Sequence, residues 1–174
     1  MITIGMLVLL TMTVISANRI MIQNTEALFA AEAITGASSI AQDLLQEAMS
    51  KKFDANSDTT GTLPVTAFDP ATGLGPSPAE AAAVGAFPDS SYKKAFKSIT
   101  GYSDFDDYNG YKRMATGNGI SGFVIDAKVY YVSEFDPEVA VSYKTFYKVI
   151  ELTVTHPLYI DSKYPIKLSG LLSY

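Results

Sequence analysis

The sequence predicts an α+β fold in which one long N-terminal helix lies, by its second half, on a small antiparallel sheet. Three observations carry that reading. Met1 to Asn18 holds neither a charged residue nor a proline. From Gln23 to Lys52 the chain keeps helical periodicity, again without proline. The last third alternates apolar and polar residues with a period of two and is rich in β-branched and aromatic side chains.

Residues 1–24 form the first element, a hydrophobic transmembrane or filament-core helix. Eighteen helical residues span about 27 Å, close to the hydrocarbon thickness of a bilayer, and Ile20 to Ile22 extend the segment if Arg19 snorkels to the surface. Leu7 to Leu10 leave no polar face. A removable signal would begin with basic residues and end at a small-x-small site; the start here has none, and Ile15 stands where a small residue is wanted. The segment is therefore expected to stay. Residues 25–53 continue the same helix in amphipathic form, with Ala27, Ala30, Ile34, Ala37, Ala41, Leu44, Leu45 and Ala48 as the expected buried stripe. Glu26, Glu32, Asp43 and Glu47 are expected mostly away from it.

Residues 54–122 read as a variable loop region, punctuated by prolines and glycines, with short helices at Ala79 to Phe87 and Ser91 to Ile99. Gly101 to Gly122 is acidic, aromatic and without a clear period. Residues 123–174 read as a three-stranded antiparallel sheet: Phe123 to Val132, Tyr143 to Thr155 and Ile166 to Tyr174. In the second strand Phe146, Ile150, Leu152 and Val154 fall on the inner face.

Composition narrows the function. With 174 residues, 48% hydrophobic and 18% charged, the chain is too apolar for a disordered protein and too mixed for a multi-span membrane protein. The net charge is −5, and basic residues come at most in pairs (Lys51–Lys52, Lys93–Lys94, Lys112–Arg113), which argues against nucleic acid as a partner. The absence of cysteine excludes disulfides and thiolate chemistry, and a single histidine, His156, excludes two-histidine metal motifs. No catalytic role is expected. Gly117, Gly119 and Gly122 match GxGxxG, but they precede a strand instead of following one, the wrong context for a dinucleotide. Asp104, Asp106, Asp107 and Asn109 offer oxygen ligands that would suit calcium; a solvated or turn-capping acidic loop is the competing reading. His156 is expected to end a strand. Tyr108, Tyr111, Tyr130, Tyr131, Tyr143 and Tyr147 suggest either an aromatic surface or cross-strand packing.

The helical run AEAITGASSIAQDLLQEAMSKKFD, and DDYNGYKR leading into the strands around VYYV and YKVIELTV, resemble the type IV pilins and the related type II secretion pseudopilins. The resemblance implies an inner-membrane subunit whose N-terminal helix packs into the core of a helical surface filament, with the assembly machinery as partner. It also implies that Met1 is a processed, N-methylated terminus. Ile4, Gly5, Leu7, Val8, Leu9, Leu10, Thr11, Val14, Ile15 and Ile22 are the expected packing positions, with Gly5, Thr11, Thr13, Ser16 and Ala17 allowing close approach or interhelical hydrogen bonds. The chain departs from the family pattern at Gly5, where an acid is usual, at Ile22, where a proline is usual, and in lacking the C-terminal cysteine pair. A minor pilin or pseudopilin, and a membrane-anchored binding domain that does not polymerise, are the alternatives.

Overall fold

The structure, a computed structural model, describes residues 2–57, 62–84 and 101–174, the side chains of 2–4, 83 and 84 excepted. Helix α1 (Ile2–Met49) is continuous, 48 residues and about 72 Å long. A short helix α2 (Pro78–Val84) follows, then strands β1 (Lys112–Gly117), β2 (Ile120–Val132), β3 (Ala140–Val141), β4 (Tyr147–Thr155) and β5 (Ile166–Ser173). Ser77 and Glu80 close the start of α2 reciprocally: the Ser77 N–H donates to Glu80 Oε2 at 3.0 Å, and the Glu80 N–H to Ser77 Oγ at 3.4 Å. Of the two short helices expected in the loop region, the first is α2, ending at Val84 among the described residues; Ser91 to Ile99 lies outside them.

Among the described residues the strands of the sheet all pair antiparallel, in the order β1-β2-β4-β5, with β3 beside the far end of β2, and an isolated parallel bridge joins Lys52 to Asp104. The expected three-stranded sheet thus gains an edge strand, β1, and the two-residue β3. The extra strand exists because Asn118 (φ 48°) and Gly119 (φ +78°) both take positive φ, the two-residue turn that matches strand twist. Gly122, at φ +102°, sits where the β1–β2 register slips by one residue, a bulge that glycine accommodates. So the three glycines of the GxGxxG match belong to a hairpin. The second predicted strand also starts later than expected, at Tyr147 instead of Tyr143.

The second half of α1 covers the sheet. Its buried residues are Ala33, Gly36, Ala37, Ile40, Ala41, Leu44 and Ala48, which meet Ala115, Phe123, Ile125, Ala127, Val129, Ile150, Leu152 and Val154. The stripe is rotated relative to expectation near its start: Ala27 and Ile34 are exposed, while Ala33 and Ile40 point inward. The rotation follows from small residues. A Cβ on Gly36 would lie 3.2 Å from the backbone C and O of Gly117, so helix and hairpin touch backbone to backbone there. Glu47 is also nearer the core than expected and accepts the Tyr108 hydroxyl hydrogen bond at 2.9 Å.

Candidate functional site

Two features of the chain carry polar or apolar chemistry out of proportion to a simple α+β core: the projecting half of α1, and a charged cluster sealed inside the head.

In the projecting half, every residue from Gly5 to Phe29 is exposed. Met6, Leu7, Leu9, Leu10, Met12, Ile15, Met21 and Ile22 each expose 60% or more of their surface. From Gly5 to Ala17, ahead of Asn18 and Arg19, water would meet a continuous apolar cylinder, far beyond the patches soluble monomers tolerate. Its threonine hydroxyls are turned onto the helix backbone. Thr11 donates to the carbonyl of Leu7, Thr13 to those of Leu9 and Leu10, and Thr25 to that of Met21. A hydroxyl satisfied by its own helix backbone costs little in an apolar medium. In the single chain the Thr11 and Thr13 hydroxyls bond within the helix. Among the described residues, this one helix is long and apolar enough, by length and composition, to cross a membrane, and its most apolar window is wholly unburied. Of the expected packing positions, Gly5, Leu7, Val8, Leu9, Leu10, Thr11, Val14, Ile15 and Ile22 all lie on this exposed cylinder; the side chain of Ile4, and Met1, fall outside the described residues.

The head cluster centres on Lys148, which is fully buried. Strand alternation places it on the inner face of β4, in phase with Ile150, Leu152 and Val154. Its Nζ donates to Asp106 Oδ1 at 2.6 Å, to Asp54 Oδ2 at 3.1 Å and to the Phe53 carbonyl at 2.9 Å, so all three ammonium hydrogens have acceptors. The Phe53 and Tyr131 rings face it, with centroids at 4.4 and 5.2 Å. Phe53, Phe68 and Tyr131 form a separate aromatic cluster, with Tyr174 edge-on to Phe68 at 4.9 Å between ring centroids, that closes this end of the sheet.

The acidic loop supplies the other half. Asp104 Oδ1 accepts the N–H groups of Asp106 and Asp107, and Asp107 Oδ2 accepts those of Ser103 and Asp104. The Asn109 side chain bridges the Leu74 carbonyl and the Val129 N–H, at 2.9 and 3.0 Å. Asp104, Asp106, Asp107 and Asn109, offered by the sequence either to calcium or to a solvated or turn-capping loop, are therefore engaged with backbone and lysine. The carboxylates whose oxygens do converge, within 4.8 Å, are Asp54, Asp69 and Asp106, and the Lys148 ammonium already sits against two of them. Burial, with the charges of Asp106 and Asp107, pushes the Asp104 carboxyl up to about 8. Burial also raises Asp106 and Asp107. At Asp54, burial pulls upward, but the Asp69 N–H, the Lys148 charge and the Asn56 N–H together hold the carboxyl below its ordinary value.

The remaining residues singled out by sequence take structural places. His156 is buried; its Nε2 lies 3.1 Å from the Ser121 carbonyl, its Nδ1 accepts the Leu158 N–H, and its ring stacks on Tyr159. Tyr108, Tyr111 and Tyr131 are buried, which removes them from any aromatic surface; Tyr108 and Tyr111 pack edge-on with Tyr102. Tyr143 is exposed, outside the strands.

No family model, curated protein or solved structure matches this chain. The functional reading consequently rests on geometry and on the resemblance drawn from the residues themselves.

Proposed function

We propose that the chain is the structural subunit of an extracellular helical filament, held in the inner membrane before assembly and polymerised through the first half of α1. The single observation that carries this reading is the division of one helix into two environments. From Ala33 onward it is anchored by a packed sheet, and before Ala30 it stands free, uncharged as far as Asn18, with the Thr11 and Thr13 hydroxyls bonded to its own backbone. Lipid solvates such a cylinder before assembly. Outside the bilayer, bundling with identical helices removes the same surface from water, at about 25 cal/mol per Å². Repetition of one head-to-tail contact yields a helical polymer. Gly5 carries no carboxylate, so axial register in this reading comes from side-chain packing and not from an ion pair at that position.

The experiment is electron microscopy of material sheared from cells producing the chain, beside the Leu9→Asp/Leu10→Asp variant. Filaments containing the wild-type chain, and none from the variant, are expected; intact filaments from the variant overturn the reading. Mass spectrometry of the filament subunit for an N-methylated Met1 tests the processing expected from the resemblance. A minor pilin or pseudopilin would appear as a trace component of filaments built mainly from another subunit, and a tethered binding domain as membrane-bound monomer only.

A further inference from the structure

We infer that Lys148 and Asp106 are a self-modification site, where the lysine amine and the aspartate side chain condense to an intramolecular amide that staples β4 to the loop before β1. The proposal is independent of filament assembly.

Its basis is a constellation unusual for a structural ion pair. The nucleophile, Lys148 Nζ, is fully buried and 2.6 Å from an oxygen of the Asp106 carboxyl, so the carboxyl carbon is one bond further on. Asp106 is 1% exposed, and the aromatic rings of Phe53 and Tyr131 line the pocket. Water, the agent that reverses amide condensation, is excluded. A dry pocket also favours steps that cancel a charge pair over keeping the two charges. Two further carboxyls stand where a proton relay requires them. Asp54 Oδ2 is 3.1 Å from Nζ, and its two oxygens are held by the N–H groups of Asn56 and Asp69, which stabilises the anionic form. The Asp104 carboxyl, raised to about 8 chiefly by burial, is the protonated partner that hydrogen-bonds to Asp106.

The step balances without a co-reactant. Asp54 accepts one proton from the ammonium and frees its lone pair. The nitrogen attacks the Asp106 carboxyl carbon as the C=O electron pair moves onto oxygen, polarised by the Asp104 hydroxyl. Asp104 protonates the departing oxygen. The second amine proton and the one on Asp54 then go to that oxygen and back to Asp104. One C–N bond forms, one C–O bond breaks, one water leaves, and Asp54 and Asp104 end as they began. Asp54 and Asp104 position and relay; Asp106 and Lys148 react.

Intact-mass spectrometry of the detergent-solubilised full chain tests this directly, with no substitution needed. The expected mass is one water, about 18 Da, below that of the unmodified chain, together with a branched proteolytic peptide joining Lys148 to Asp106. Asp54→Asn, which keeps size and shape, should restore the full mass, as should Asp106→Ala. Full mass in the wild type, with Lys148 open to an amine-reactive reagent after unfolding, overturns the proposal. A one-water deficit that maps to a cyclised aspartate instead of a branched peptide overturns it equally. Persistence of the branched peptide in Asp54→Asn overturns the relay assigned to Asp54.

Discussion

At the scale of single residues, the head is organised by a lysine that hydrophobic patterning would exclude from a core. Lys148 offers no local signal of its partners: Asp106 lies 42 residues away in sequence and Asp54 lies 94 away. Alternation alone placed position 148 inward, but a lysine among Phe146, Ile150, Leu152 and Val154 looks like an interruption until the acidic loop folds over it. Replacing it by Met leaves two buried carboxyls without their counter-charge, so Lys148→Met should destabilise the head by about 3–5 kcal/mol, read by chemical denaturation. The Asp104 carboxyl has a signature of its own. Its folded value, about 8, is above the unfolded 3.8, so the folded state binds the extra proton between them. That contribution to stability is complete below about 4 and is lost as pH rises through about 8. Asp106 and Asp107, also raised, act in the same direction; Asp54, lowered, acts in the opposite one and only on the acid side. The melting temperature of the wild type should therefore fall from mildly acidic to mildly alkaline pH, and Asp104→Asn, which retains the oxygen that accepts from Asp106 and Asp107, should flatten the slope. Because burial is the leading cause at Asp104, the slope persists whether or not Asp106 carries a charge.

At the scale of elements, the contact between α1 and the hairpin depends on missing side chains. A Cβ on Gly117 would fall 2.6 Å from Ile40 Cδ1 and 3.0 Å from the Gly36 carbonyl oxygen. Ile40 can turn away, but the helix backbone cannot. Gly117→Val should cost about 1–3 kcal/mol in head stability by overpacking, whereas Gly5→Ala, in open space, should leave the denaturation midpoint of the head unchanged. The same region shows where legibility ended. The long helix and the inward Ile150, Leu152 and Val154 of β4 follow from periods of 3.6 and 2, whereas Phe146, expected on the same face, is 40% exposed and precedes the strand. Asn118–Gly119 between alternating residues is a strong signal for the β1–β2 turn, masked in the sequence by the glycines around it. The rotation of the helix stripe was not legible. With alanine at 27, 30, 33, 37, 41 and 48, several faces are small enough to approach a sheet, and Gly36 meeting Gly117 is what selects one.

At the scale of the whole molecule, a packed head is joined to an apolar stem, and the role proposed for the stem is assembly. The stem's exposure was legible from the uncharged run alone; what it packs against is a matter of partners, which a single chain does not contain. Because the chain has no cysteine, introduced thiols report helix contacts without background. Val8 and Leu10 are both exposed and, at about 100° per residue, point to opposite sides of the helix. A Val8→Cys/Leu10→Cys variant, oxidised on the cell surface and separated without reductant, is the most direct measurement of the central claim. Stems bundled in a filament should give a ladder of covalent multimers in the sheared extracellular fraction. Monomer alone, retained with the membrane under the same oxidation, would contradict assembly through the stem.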